Sequence, residues 1–473
     1  MNGKRLNNVI NELQEGWERI DKIENPLFPE KDKIIKDTIY GIVKLDKPEL
    51  FLTDLPPMQR LRGVSHLGLI HLVYPGANHT RFEHSLGVAY IVEQALKTIR
   101  SNIKKEINIT DNDVLTAKAA ALLHDVGHLP FSHACESLIE KTGVLTEASK
   151  LGVQPHEYIS KCIVECDYFR RAFDEINHRT EYNLEAEDVS NYIIGKTKDS
   201  KKKFVAELIN GTVDADKIDY LVRDAHYTGV PHGRVDIGYL INTLTITKMM
   251  KEYKLVGERK GLESIESLLA SRELMFPTVY THHTVVIARA MLNRAIFYAF
   301  KDDIENEGLD YLLNILKFDD NSLLSFLYSR VGYPREIVLR LKYRRLFKRA
   351  LTIEMRNFVN RAVIVDFAKK YKNFKETIVD ENEIANNIGL DNGYVIIDVD
   401  ELPPLYKETR FPIKFDGEMR LLDEFPTMIS HLGKRRREKW KAYVLTTSNY
   451  EEKVKKEAAK LFAERGFKLQ VFS

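Results

Sequence analysis

The chain has 473 residues, 44% hydrophobic and 30% charged, with a formal net charge of +2. It is long enough to bury a core in two lobes and too balanced in charge for a global pull towards nucleic acid or acidic membranes. Three cysteines (Cys135, Cys162 and Cys166) with no C-x-x-C pair argue against a disulfide framework and fit a reducing cytoplasm.

In chain order, the opening MNGKRLNNVINELQEGW has no apolar stretch of the secretory kind. No window approaches about eighteen uninterrupted apolar residues, so no membrane span is expected. Residues 85–100 place Leu86, Tyr90, Val92, Ala95 and Leu96 on one apolar helix face. Thr110 is an N-cap candidate with acidic residues after it, and the helix it opens runs through AKAAALL to His124-Asp125, where Gly127 can close it. Pro155 suits the first turn of a further helix. From about 340 to 370 the pattern is helical and basic (RLKYRRLFKRA, then VNRAVIVDFAKKY). YVIIDV (394–399) and KAYVLTT (441–447) read as strands, 451–466 as an amphipathic helix ending in Gly466, and FKLQVF as a last strand. The expected fold is mainly α: a helical domain over residues 1–375 and a smaller α+β lobe over 376–473.

The chemistry gathers at polar residues in apolar surroundings. His124-Asp125 follows AAALL, and a carboxylate buried there is costly unless paired or bound to metal. Neighbours on a continuing helix point about 100° apart, but at a helix end both can converge on one ion. Imidazole nitrogen with carboxylate oxygen suits Mn, Fe, Co, Ni or Zn. His84 (in RFEHS) and Asp216 (in DADKIDY) would complete four ligands and leave positions open for water or a phosphate oxygen. A His-Asp dipeptide alone is more often a cap or a hydrogen-bonded pair.

The three segments RFEHS (81–85), HDVGHLPFSH (124–133) and DADKIDY (214–220) together resemble the HD-domain phosphohydrolases. The resemblance is to their deoxynucleoside triphosphate triphosphohydrolase branch, which includes the mammalian dNTPase with SAM and HD domains. It runs from about Asp37 to at least residue 350. It implies a divalent metal, Mn or Mg among the candidates, on His84, His124, Asp125 and Asp216. It also implies active-site roles for His128, His133 and His156 (with Glu157 beside it), and an orienting carboxylate at Glu136. Arg81 and Lys217 match residues that grip a triphosphate, and Tyr220 and Asp224 match contacts to phosphate and the 3′-hydroxyl. Arg272, Tyr280 and His282 keep the spacing of the sugar site, in which the tyrosine leaves little room for a 2′-hydroxyl. His66 stands where the mammalian enzyme has a glutamine reading the 3′-hydroxyl, so sugar recognition is expected to differ there.

The same resemblance implies regulation. Asp54, Gln59 and Arg62 match a guanine-nucleotide activator site between subunits, and Arg344, Leu346 and Lys348 match its surroundings. Glu258 replaces a basic contact to a second effector. The SAM domain is missing from the pattern, and a dimer-based tetramer is implied. The expected reaction is release of deoxynucleoside and inorganic triphosphate from a dNTP. The alternatives are hydrolysis of another nucleotide or phosphate ester, or a nucleic-acid-binding regulator with a vestigial HD site, supported only by the basic segment 335–349.

Overall fold

Helices form where the apolar spacing and the caps direct them. A computed structural model describes residues 2–24, 27–103, 107–400, 402, 410–425 and 438–470. Helix α1 (Asn2–Asp21) lays Leu6, Val9, Ile10 and Trp17 on the main core. An antiparallel hairpin follows, β1 (Lys33–Asp37) with β2 (Gly41–Leu45). Two helices make the centre: α2 (Arg81–Asn102) and α3 (Asp111–Leu123). The Thr110 hydroxyl accepts from Asp113 N at 3.2 Å while the Asp113 carboxylate accepts from Thr110 N at 2.9 Å, a reciprocal cap that starts α3. Alanines at 117 and 119–121 are fully buried and let neighbouring helices approach closely.

Around this pair lie α4 (His133–Thr142), α5 (Pro155–Val164, opened by its proline) and α6 (Ala215–Thr228, capped by Asp214). Helix α7 (Leu262–Met275) continues into a π-helical turn over Phe276–Tyr280 and then α8 (His283–Ala299). No described helix is long and apolar enough to cross a membrane.

The C-terminal portion adds helices α10 (Phe374–Asn387) and α11 (Glu451–Glu464) and an antiparallel sheet of β5 (Lys348–Glu354), β9 (Lys441–Thr446) and β6 (Val395–Val399), with β9 central. A second sheet has the order β3 (Leu244–Met249), β4 (Glu252–Glu258), β7 (Pro412–Phe415) and β8 (Glu418–Leu421).

These sheets correct the expected division. The cut at 375/376 falls inside α10, β5 joins the later sheet, and β7 returns to pair with β4 through Gly257 and Ile413. The basic segment is not one helix either. Helix α9 (Tyr333–Lys342) stops where Arg344 takes φ 53°, and Lys348–Glu354 is extended, with Ala350 and Ile353 buried and Lys348 and Arg349 exposed. The one feature that favoured a nucleic-acid-binding regulator is thus split between two elements.

Gly127 is not a left-handed helix stop. A Cβ there would lie 2.4 Å from Ser160 N and 2.6 Å from His156 O, so its smallness lets α5 approach the His-Asp turn. Phe467–Gln470 are not a strand, although Gln470 N donates to Asn357 O at 2.8 Å; Val471 and Phe472 lie outside the described residues.

Candidate metal centre and active site

His84 lies in the first turn of α2, and α3 ends at Leu123 so that His124 and Asp125 leave the helix together. Asp216, in the first turn of α6, closes the group. His84 Nε2 is 2.9 Å from Asp216 Oδ1, 3.3 Å from His124 Nε2 and 3.7 Å from Asp125 Oδ2. His124 Nε2 is 3.3 Å from Asp125 Oδ1 and 3.8 Å from Asp216 Oδ1.

The opposite ring nitrogens are already committed. His84 Nδ1 donates to Asp219 Oδ2 at 2.7 Å and His124 Nδ1 to Ala121 O at 2.7 Å, which turns both Nε2 atoms towards the carboxylates. Asp219 is held in turn by Arg223 (2.8 and 3.0 Å) and by the Tyr40 hydroxyl (2.7 Å), and Arg223 by Asp37 (2.9 Å).

The electrostatics ask for a cation here. Burial opposes a charge on His84, yet hydrogen bonds to Asp216 and Asp219 lift its pKa to about 9. Burial alone would raise Asp125, but the charges of Arg81, His124 and His128 hold it well below the usual carboxylate range. His84, His124 and Asp216 can each offer an atom to one ion, with Asp125 3.7 Å from His84 Nε2, a donor set that fits a borderline divalent ion.

A row of histidines continues from the cluster. Glu136 accepts from His133 Nδ1 and from His156 Nδ1, both at 2.6 Å, and also from His156 N at 3.0 Å. One carboxylate therefore aims two rings. His156 stacks on His128 at 4.0 Å, and His128 Nε2 lies 3.2 Å from Asp125 Oδ1 with neither of its ring nitrogens in a well-formed hydrogen bond. Their proton affinities are pushed apart. Burial and the nearby charges of Arg81 and His156 drive His128 well below its ordinary value, whereas Glu136 overcomes burial and lifts His156 to about 9. His133 is the open end of the row, with 68% of its side chain exposed. Glu157, beside His156, caps α5 by accepting from Gln154 N at 2.8 Å.

The turn that carries these rings is conformationally unusual. Phe131 and Ser132 both have positive φ (55° and 52°). Asp320 fixes the pair by accepting from Phe131 N at 2.6 Å and Ser65 N at 2.9 Å. The Ser132 hydroxyl accepts from Arg81 Nε at 2.9 Å, and Arg81 Nη1 reaches Asp125 Oδ2 at 2.8 Å. Arg81 is therefore at the metal cluster, where a phosphate oxygen would also be attracted.

A second polar cluster adjoins the first through His66, whose ring is 4.4 Å from that of His84 and whose Nε2 is 3.6 Å from Asp224 Oδ1. Tyr280, delivered by the π-helical turn, donates to Asp224 Oδ2 at 2.7 Å. Tyr220 meets Tyr280 edge-on at 6.2 Å and accepts from Arg272 Nε at 3.1 Å. Lys217 Nζ bonds Asp214 Oδ2 at 2.7 Å and Gly211 O at 2.8 Å, one residue from Asp216. His282 caps α8, accepting from Thr284 N at 3.3 Å, and has no described contact with Asp224 or Tyr280.

The expected effector residues fall into two separate groups. Arg62 Nε bonds Gln59 Oε1 at 2.8 Å, and Asp54 and Gln59 line a cavity of about 580 Å³ walled by Glu12, Gly16 and Trp17 of α1. Arg344 bonds Leu72 O at 3.0 Å and Lys348 begins β5; no described hydrogen bond or ion pair joins them to the first group. Glu258 pairs with Lys260 at 2.9 Å.

Sequence reasoning missed Asp219, His79 and Asp320. Asp219 stands inside the DADKIDY segment, three residues after Asp216, and that spacing was its only signal. His79 bonds Asp224 Oδ1 at 2.8 Å across 145 residues, and Asp320 joins loops far from it in sequence, so neither has a local signature.

Comparison with known proteins matches an HD domain over residues 81–224 and an HD-associated region over 235–469. An uncharacterized protein of Methanocaldococcus jannaschii is 31% identical over 398 residues, 83% of this chain and 75% of that protein. The human deoxynucleoside triphosphate triphosphohydrolase SAMHD1 is 28% identical over 357 residues, 67% of this chain but 54% of its own length. The chain thus spans about half of the human protein. A crystal structure of a phosphohydrolase from Bacteroides thetaiotaomicron superposes with a TM-score of 0.64 at 26% identity, covering 89% of this chain and all of that one. The chain belongs to the HD-domain phosphohydrolases, with an HD domain followed by an HD-associated region.

Proposed function

We propose that the protein hydrolyses deoxynucleoside triphosphates at the α-phosphate, releasing deoxynucleoside and inorganic triphosphate. The observation that carries this reading is the adjacency of two polar clusters. His66 touches the His84 ring on one side and approaches Asp224, itself bonded to Tyr280, on the other. A sugar hydroxyl donated to Asp224 leaves the phosphate beside the His-Asp cluster. The name of the human relative agrees with this substrate class.

His84, His124, Asp125 and Asp216 would hold a divalent cation, which would neutralise phosphate charge as a Lewis acid and make water easier to deprotonate. Arg81 adds a fixed positive charge in a buried setting, where it counts for more than in water. His128, held neutral, is suited to accept a proton, and His156, kept protonated by Glu136, to give one to the leaving oxygen. Tyr280 presses on the sugar and disfavours a 2′-hydroxyl. Tyr220, Arg272 and Lys217 flank the phosphate path, with His133 at its open end, and His282 acts from further out.

Guanine-nucleotide activation is part of the proposal, with Asp54, Gln59 and Arg62 from one subunit and Arg344 and Lys348 from another, in a homo-oligomer. The separation of the two groups within one chain is what such a shared site requires.

The test uses purified protein with Mn²⁺ or Mg²⁺, offered each dNTP and NTP singly and in pairs, with products separated into nucleoside, monophosphate and triphosphate. Deoxynucleoside with inorganic triphosphate is expected. No deoxynucleoside from any mixture sinks the reading. Turnover only in pairs establishes the effector, and an unchanged oligomer mass with added GTP argues against a shared site.

A further inference from the structure

We infer that His79 is a positioning residue that holds Asp224 as the reader of the sugar hydroxyl, an inference that rests on the function proposed above. His79 lies in the turn before α2, and its carbonyl accepts from His66 N at 3.0 Å. Its ring is buried, stacked on Tyr227 at 4.5 Å with planes 17° apart. Tyr227 is itself anchored by Glu83 at 2.8 Å and Thr38 at 3.1 Å. The ring therefore has little freedom to turn.

The hydrogen-bond inventory fixes its tautomer. His79 Nε2 lies 2.8 Å from Asp224 Oδ1, and His79 Nδ1 is buried without a partner among the described residues. A carboxylate accepts, so the proton between the two is on Nε2. The arrangement is opposite to that of His84 and His124, whose Nδ1 protons have acceptors and whose Nε2 atoms face the cluster. His66, His79 and Asp224 are close enough together to suggest a second metal site. A His79 ligating through Nε2 would carry its proton on the partnerless Nδ1, so the donor role is the one the surroundings support.

Asp224 is thus clamped on both oxygens, by His79 on Oδ1 and by the Tyr280 hydroxyl on Oδ2. Each carboxylate oxygen keeps a further lone pair, now fixed in direction, for a substrate hydroxyl. A site built to take a hydroxyl on an oriented carboxylate rejects the analogue that lacks it. His79 therefore sets the preference for a 3′-hydroxyl without touching substrate.

The experiment compares kcat/KM for a dNTP and its 3′-deoxy counterpart in the wild-type protein, His79→Phe and His79→Gln. Phenylalanine keeps the stack on Tyr227 but removes the donor; glutamine keeps a donor. The preference for the 3′-hydroxyl should fall roughly tenfold in His79→Phe, through a higher KM for the dNTP alone, and largely return in His79→Gln. Metal content per chain should stay unchanged in both. An undiminished preference in His79→Phe overturns the inference, as does a lower metal content in both variants. Absence of dNTP turnover in the wild type strikes instead at the proposed function. Nitrogen NMR of ¹⁵N-histidine-labelled wild-type protein, loaded with a diamagnetic metal, needs neither turnover nor a folded variant. A protonated Nε2 at His79 is expected, and a protonated Nδ1 refutes it.

Discussion

Two regions of the molecule bury carboxylates beside cations, and they do so differently. Where the C-terminal layer meets the helical body, Glu381 accepts from Arg294 at 2.8 and 2.5 Å and from Ile397 N at 2.7 Å. Asp398 takes Lys141 on one oxygen at 2.5 Å and Arg289 on the other at 2.9 Å. Those oxygens face donors, and the groups act as struts between α10, α8, α4 and β6. In the HD cluster, groups able to ligate a metal crowd together: two Nε2 atoms lie 3.3 Å apart, both within 4 Å of Asp216 Oδ1. A strut is complete with its own side chains, whereas a site is complete only with something added. Burial alone does not separate the two, because Asp125 of the cluster is as deeply buried as Glu381 of the struts.

Asp125→Ala should separate them most sharply. Turnover should fall roughly a thousandfold or more, with loss of bound metal by elemental analysis. Retained activity would refute the assigned cluster. The reverse pattern belongs to Glu381→Leu, which leaves Arg294 buried without its carboxylate. Urea unfolding should show a loss of about 3–5 kcal/mol, with metal affinity intact. If the metal were lost instead, the distinction between strut and site would fail.

Asp219→Asn tests the layer behind the metal, since His84 loses an anionic acceptor on Nδ1. Metal affinity should drop about 10- to 100-fold while the fold persists, measured by competition with a chelating dye. The smallest effect is in the pH profile. Burial lowers the proton affinity of His156, but Glu136 lifts it to about 9, above the ordinary 6.5, so the ring stays protonated through neutrality. The stability that this pair adds is full below pH about 6.5 and is lost as pH rises through about 9. The rate should decline over the same upper range if His156 gives its proton to the leaving oxygen. Glu136→Gln should move that decline to lower pH; an unmoved limb removes His156 from the donor role.

How much of this was legible depended on how local each signal is. His84, His124, Asp125 and Asp216 stand in three short segments whose residue order carries the chemistry, and the fold does bring them together. The strands at 395–399 and 441–446 were readable from β-branched runs. The segment at 348–354 was not, because its lysine, arginine and leucine residues mimic a helix face and only pairing with β9 makes it a strand. The hairpin at 244–258 was passed over among its lysines. His79, Asp219 and Asp320 act through partners distant along the chain or on another helix, so their importance is a property of the fold.

Gly87 has no side chain, and none is possible: a Cβ there would fall 1.9 Å from Asp219 Oδ1 and 2.5 Å from Arg223 Nη2. It lies one turn along α2 from His84, at the seam with α6. Even a single methyl group must prise those two helices apart and withdraw the carboxylate that aims His84. The spacing of the His-Asp cluster is thereby set from behind, by a missing atom. Redesign around the cluster inherits this seam as a fixed dimension.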